Sequence, residues 1–252
     1  MLAVVLVATS AALFPPLAPP RPDELLSKVA ELVLRARLRE SQEIQVTVKD
    51  GGGMLLGSVD GVSVRGRGWC TPQRLSCRSL EMQVGKTSID FSALASQRRI
   101  VMQKPSIGSA DITFTAKDWD NFLNHPLFAA AVADRRSSTT APSVKFARTG
   151  TRLLADGVTF PLQWAGEIFR AKLSQQPEGK AIVSAVNRAG ENNAEAGDWI
   201  AALFNELVLD LDGCALTFRQ LGIAPAGAGG DSVLSLALDV RVRSFPSLDV
   251  NF

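Results

Sequence analysis

The side chains that usually carry unaided catalysis are present here in arrangements that do little. The 252 residues include one His, His125, and three Cys. A nucleophilic triad therefore has one candidate base, and most His-rich metal sites are ruled out. His125 precedes Pro126, a place that suits a helix cap or a surface residue better than a buried general base. In Gly57-Ser58-Val59-Asp60-Gly61 the Ser stands at the wrong position for a nucleophile elbow. Gly85-Lys86-Thr87 has the ending of a phosphate-binding loop. Leu80 stands where that loop needs Gly, and no helix pattern follows. Cys70 and Cys77 lack zinc spacing and have no second pair. Asp210 and Asp212 share one strand face, where carboxylates are normally solvated. A hydrolase with an unrecognised carboxylate pair stays open, although nothing singles a pair out. No metal, cofactor or catalytic residue is expected.

Composition narrows the classes further. The chain is 46% hydrophobic and 21% charged, with net charge +2. It is long enough for a sizeable core, and disorder or a fibrous repeat is excluded. The balance is too even to announce a nucleic-acid binder. The excess of basic residues falls in the first half and that of acidic residues in the second.

Leu2 to Phe14 is apolar except for Thr9 and Ser10. It is too short for a membrane-spanning helix and fits the apolar core of a signal peptide, with Ser10 and Ala12 as small residues before a cleavage point. Five prolines between Pro15 and Pro22 read as a stiff spacer. Residues 1–22 are thus expected to be a targeting segment and spacer, and 23–252 one domain. In an oxidising compartment Cys70 and Cys77, flanking Thr71-Pro72-Gln73-Arg74, are placed either for a hairpin disulfide or as two half-buried thiols.

The elements that must position any site follow from periodicity. Asp23–Glu40 reads as an amphipathic helix whose C-terminal end carries Arg35, Arg37 and Arg39. Such a helix suits packing on a sheet or lying on a membrane surface. Period-two alternation then predicts strands around Ile44–Val48, Val62–Val64, Leu80–Val84 and Ile112–Phe114. One wet face marks them as antiparallel. Thr115 is a predicted N-cap for a helix bearing Trp119, Phe122 and Leu123, which Pro126 ends or kinks. Arg135–Pro142 and Asn187–Gly197 read as polar loops. Further strands are expected at 158–164, 168–173 and 181–186, with a short helix at 199–207. The cleanest strand signal is Leu234, Leu236, Leu238, Val240 and Val242 alternating with Ser, Ala, Asp and Arg. Asp118-Trp119 with Phe122-Leu123-Asn124 faintly echoes Asp198-Trp199 with Leu203-Phe204-Asn205, which suggests two pseudo-repeated halves, about 23–135 and 143–252.

Several segments together resemble a known family. They are Leu55-Leu56-Gly57-Ser58-Val59-Asp60-Gly61-Val62, Leu80-Glu81, Val84-Gly85-Lys86-Thr87-Ser88-Ile89-Asp90, and Asp111 through Trp119 running into Phe122-Leu123-Asn124. The chain resembles the LmeA-like phospholipid-binding family, as a cyanobacterial or plastid-type member. The likeness covers residues 24 to 128 well and the rest loosely. Trp69–Cys77 departs from it. The resemblance implies an α+β fold, an elongated curved antiparallel sheet wrapping a few helices around an apolar groove or tunnel, as in tubular lipid-binding proteins. It supplies no catalytic residue.

The expected function is non-catalytic binding or transfer of a phospholipid or glycolipid, peripheral to a membrane of the secretory pathway or a plastid. Groove candidates are Val62, Val64, Ile112, Phe114, Trp119, Phe122, Leu123, Leu234, Leu236, Leu238, Val240 and Val242. Headgroup candidates are Arg35, Arg37, Arg39 and Arg65. For any single apolar residue, ordinary core is the simpler role. The rival readings are a scaffold of an envelope or thylakoid membrane and the hydrolase above.

Overall fold

The computed structural model describes residues 21–53, 58–90, 101–102, 104–176, 178–211, 213–224 and 232–243. Four helices and fifteen strands lie among them. The helices are α1 (Pro22–Arg37), α2 (Ala116–Leu123), α3 (Pro126–Ser137) and α4 (Ala194–Asn205). A seven-stranded sheet has the order β1 (Glu43–Lys49), β3 (Gly61–Cys70), β4 (Ser76–Val84), β7 (Ser106–Phe114), β15 (Val233–Val242), β14 (Cys214–Ala224), β13 (Val208–Leu211). A second sheet joins β12 (Ala181–Asn187), β11 (Glu167–Gln175), β10 (Gly157–Trp164) and β8 (Val144–Phe146), with β9 (Arg152–Leu154) also on β10. The short strands β2 (Ser58–Val59), β5 (Thr87–Asp90) and β6 (Val101–Met102) make a third. Every named pairing is antiparallel. The fold is α+β with antiparallel sheets not closed into a barrel, in keeping with a curved sheet wrapped on helices.

β15 is a central strand of the large sheet, between β7 and β14. Its long one-sided pattern needs apolar neighbours on both sides, and it has them. Leu234, Leu236, Leu238, Val240 and Val242 are all buried. The strand comes from the second half of the chain and completes the sheet of the first.

Helix α1 has Pro22 in its first turn, where no backbone N–H is needed, and Arg35 and Arg37 in its last, where their charge suits the backbone dipole. Its Leu26, Ala30 and Leu34 pack on a small cluster made by Ile44, Val46, Val48, Val59 and Val64. β1 is the edge of the sheet, and α1 lies along it. Ser27 Oγ accepts the Val48 amide at 3.0 Å, and Glu31 Oε1 accepts the Val46 amide at 2.8 Å. Two side chains one helical turn apart thus cover edge amides that would otherwise invite another strand. Changing both Ser27 and Glu31 to Ala is expected to lower stability by about 1–3 kcal/mol, because each change orphans a part-buried donor. A denaturant midpoint unchanged from the wild type would refute the edge-covering role.

Helix α2 opens on a capping box. The Thr115 hydroxyl accepts the Asp118 amide, and the Asp118 carboxylate accepts the Thr115 amide. Pro126 differs from expectation. It ends α2 but also opens α3 as a first-turn residue, with His125 as N-cap accepting the Leu127 amide on Nδ1 at 3.3 Å. Residues 126–137, whose alanines give little periodicity, are therefore a helix of their own rather than a kinked continuation of α2, and its last turn takes Arg135–Ser137 out of the loop expected at Arg135–Pro142. Helix α4 begins five residues earlier than the aromatic pattern suggests, because Asn193 caps it through the Ala196 amide.

Candidate functional site

Residues of like parity in the seven-stranded sheet align into rows across one face. One row runs Ile44, Gly66, Leu80, Ile112, Leu236, Leu221. The next runs Val46, Val64, Met82, Ala110, Leu238, Phe218, and the third Val48, Val62, Val84, Gly108, Val240, Leu216. The result is an apolar face six strands wide.

Two separate structures cover this face. Over β1 and β3 lies α1 with its small cluster. Over β7, β15 and β14 lies the main core, which also takes in α2, α3, α4 and the second sheet. The two buried clusters share no buried member, and half-buried Met82 packs against both. Around it Val62, Leu80 and Ile112 are likewise half-buried. The floor of this seam includes Gly108; Gly66 lies under the Trp69 indole, and Ala110, 1% exposed, belongs to the main core. A Cβ on Gly108 would lie 2.0 Å from the Gln83 carbonyl oxygen, so β4 and β7 approach closely there only because that residue is Gly. One end of the seam is clamped, since Ser76 Oγ bonds the Asp118 carboxylate and accepts from Asn121 at 2.9 Å, fixing α2 on β4.

The other groove candidates sit deeper. Phe114, Trp119, Phe122, Leu123 and the five β15 residues are each at most 6% exposed. Trp119 stacks on Phe204 with centroids 5.7 Å apart and meets Phe122 at 5.1 Å and Phe114 at 5.9 Å. These rings bring α2 and α4 into contact. Trp119 Nε1 is buried without a hydrogen-bond partner. Val64 belongs to the α1 cluster. Of the twelve candidates, Val62 and Ile112 lie in the seam; Leu80 and Met82 join them there. Their alternation was visible in the sequence, but their half-burial depends on where the helices stop.

The basic candidates separate by face. Arg35 is exposed on α1. Arg39 sits 3.3 Å from Glu40. Arg65 has the opposite parity to the seam. It stands on the other side of the sheet, opposite Glu81 with an ion pair at 3.5 Å, so it does not face this apolar surface. Period-two alternation already carries that consequence.

In this structure Cys70 and Cys77 stand as two half-buried thiols, the second of the two arrangements their spacing allows. Cys70 pairs with Ser76 and Cys77 with Trp69, so the two are one step out of register. Burial, with the Asp118 carboxylate adding to it, pushes the Cys77 thiol up to about 12. Cys77 is therefore expected to resist alkylation at neutral pH in the native protein and to react on unfolding. Rapid native modification, read by mass spectrometry of the peptide, would contradict this. Burial also lowers the pKa of His125, in line with a neutral cap.

A concavity elsewhere in the fold is polar. A cleft of about 650 Å³ between β10, the β11–β12 turn and β14 is lined by Asp156, Gln175, Gln176, Glu178, Arg219 and Gln220, among others. Gln175 is spent on the Leu221 amide and the Gly179 carbonyl. Lys172 beside Asp156 holds that carboxyl below its usual range. Such a lining offers little to an acyl chain. Asp210 accepts the Gly213 amide at 2.8 Å, a turn contact, while Asp212 lies outside the described residues. Among the described residues no group of three or more His, Cys, Asp or Glu could hold a metal ion. Nor is any helix there long and apolar enough to cross a membrane.

Comparison with known proteins bears on what this face is for. No curated protein and no solved structure matches the chain. The model of one family, described as LmeA-like phospholipid-binding, matches residues 24–227. That span takes in α1 from its third residue, the three inner helices, the second sheet and every strand of the seven-stranded sheet except β15, which lies beyond it. The chain belongs to the LmeA-like phospholipid-binding family.

Proposed function

We propose that the protein binds a phospholipid or related membrane lipid without chemical turnover, and that the seam between the two apolar clusters receives an acyl chain. The observation behind this reading is the break in cover at Val62, Leu80, Met82 and Ile112, on a face that is otherwise continuously apolar. Along β4 the open positions run from Leu80 to Met82, about 7 Å at ~3.4 Å per strand residue. Each methylene moved from water into it contributes about 0.8 kcal/mol. The buried β15 residues back the floor, and Trp119 and Phe122 hold α2 as one wall. Arg35, Arg37 and Arg39, at the end of α1, are the cations on the α1 side and the proposed contacts for a headgroup phosphate. Arg65 is not among them.

Exchange of lipid between membranes is the activity that a half-open seam serves best. The apolar Leu2–Phe14 segment, outside the described residues, supports an exported or plastid address with the protein peripheral to a membrane. The test is native mass spectrometry of the purified protein with lipid extraction of the same sample. A stoichiometric phospholipid or glycolipid is expected. A clean ligand-free mass, together with no uptake from vesicles, overturns the reading in favour of a scaffold.

A further inference from the structure

Helix α1 carries apolar residues on the side turned away from the protein as well as on the side that packs. Leu25 is 48% exposed, Val29 49% and Leu32 67%. At about 100° per residue the three fall in one stripe, which Ala36 extends. The arc centred on it holds only apolar or cationic residues, with Lys28 and Arg35 along one flank. Asp23 and Glu31 lie on the packed side, where Glu31 is engaged by the Val46 amide, and Glu24 lies behind the flank of Lys28 and Arg35. Helix formation therefore sorts the charges, and the outward arc presents apolar bulk flanked by positive charge.

We infer that the outward stripe of α1 docks on an anionic membrane surface. Leu25, Val29 and Leu32 enter the headgroup–acyl boundary while Lys28 and Arg35 meet lipid phosphates. Charge complementarity selects this occupant over a second copy of the chain, whose identical stripe would bring like charges together. The inference deepens the lipid-binding reading and rests on it. The helix that borders the proposed seam is then the one that touches the bilayer, so lipid enters beside the docked edge. Its inner contacts are to a small cluster separate from the main core, so α1 can bear on the membrane without disturbing the aromatic packing.

The test is vesicle co-sedimentation of the full chain. Vesicles of phosphatidylcholine with phosphatidylglycerol are compared with pure phosphatidylcholine, at low and high salt. The wild type is expected to bind the anionic vesicles, and less so in high salt. The double change Val29→Asp and Leu32→Asp is expected to weaken binding by about tenfold or more. The double change Lys28→Gln and Arg35→Gln is expected to remove the anionic preference. All four positions face solvent, so the fold is expected to persist by circular dichroism. Wild-type binding retained in the Asp variant overturns the proposal, as does a wild type that ignores anionic vesicles. A wild-type dimer that the Asp variant dissolves also overturns it and makes the stripe a self-association face. Uptake of a short-chain phosphatidylcholine from solution separates this from the seam. The Asp variant is expected to keep that uptake, whereas failure of the seam abolishes it even in a protein that docks normally.

Discussion

Changing Met82 and Ile112 together to Trp is expected to abolish lipid uptake while leaving the protein folded. Both side chains are half-buried on the floor of the seam, on neighbouring strands and in adjoining rows. Two indoles there would displace several methylenes of a bound chain. At about 0.8 kcal/mol each, loss of four removes ~3 kcal/mol, or more than a hundredfold in affinity. Half-open positions tolerate added volume better than a closed core, where overpacking costs about 1–3 kcal/mol. The matched control is Ile107→Trp, on the same strand as Ile112 but on the outer face, where Ile107 is 76% exposed. Uptake of a fluorescent phospholipid should fall in the double variant and hold in the control. Equal uptake by all three proteins would remove the seam as the binding site.

Truncating Trp119 to Ala is expected to be the most destabilising single change, by about 3–5 kcal/mol. The side chain is fully buried and contacts Phe114, Phe122, Phe160 and Phe204. Aromatic pairs of this kind add about 0.5–1.5 kcal/mol beyond their buried area. Trp119→Phe should cost far less. It keeps most of the ring volume and removes an indole N–H that is buried without a partner. Urea unfolding of the two variants decides the matter. A loss below about 1 kcal/mol for Trp119→Ala would mean that these rings do not hold α2 to the second sheet.

Much of this architecture was legible because period-two alternation is a local signal. The strands at 44–48, 62–64, 80–84 and 112–114, and the long run at 234–242, could be placed from side-chain type alone. The rows they form could not, since register depends on partners far away in sequence. Residues 126–137 were hidden for a different reason: alanines carry no strong face, and Pro126 reads equally as a stop or a start. The candidate site was the least visible part. Ile112 and Leu236 look alike as letters. One is half-open and the other sealed, because Leu236 is a buried member of the main core while Ile112 lies at its margin. The wrong face of Arg65, by contrast, was available from parity and needed only Val62 and Val64 as reference.

The position of β15 sets an order of events in the life of the chain. β7 finds its second neighbour only in residues 233–242, more than a hundred positions later. During synthesis the first half therefore waits with one flank of its sheet unmatched and its apolar rows bare. Closing so long a loop is entropically costly and slow, which leaves time for other events before the molecule locks. A chain handed to an export channel in that interval has no sealed core to pull apart. A chain that stays where it was made carries the β7 flank open to pairing with a stranger until β15 arrives.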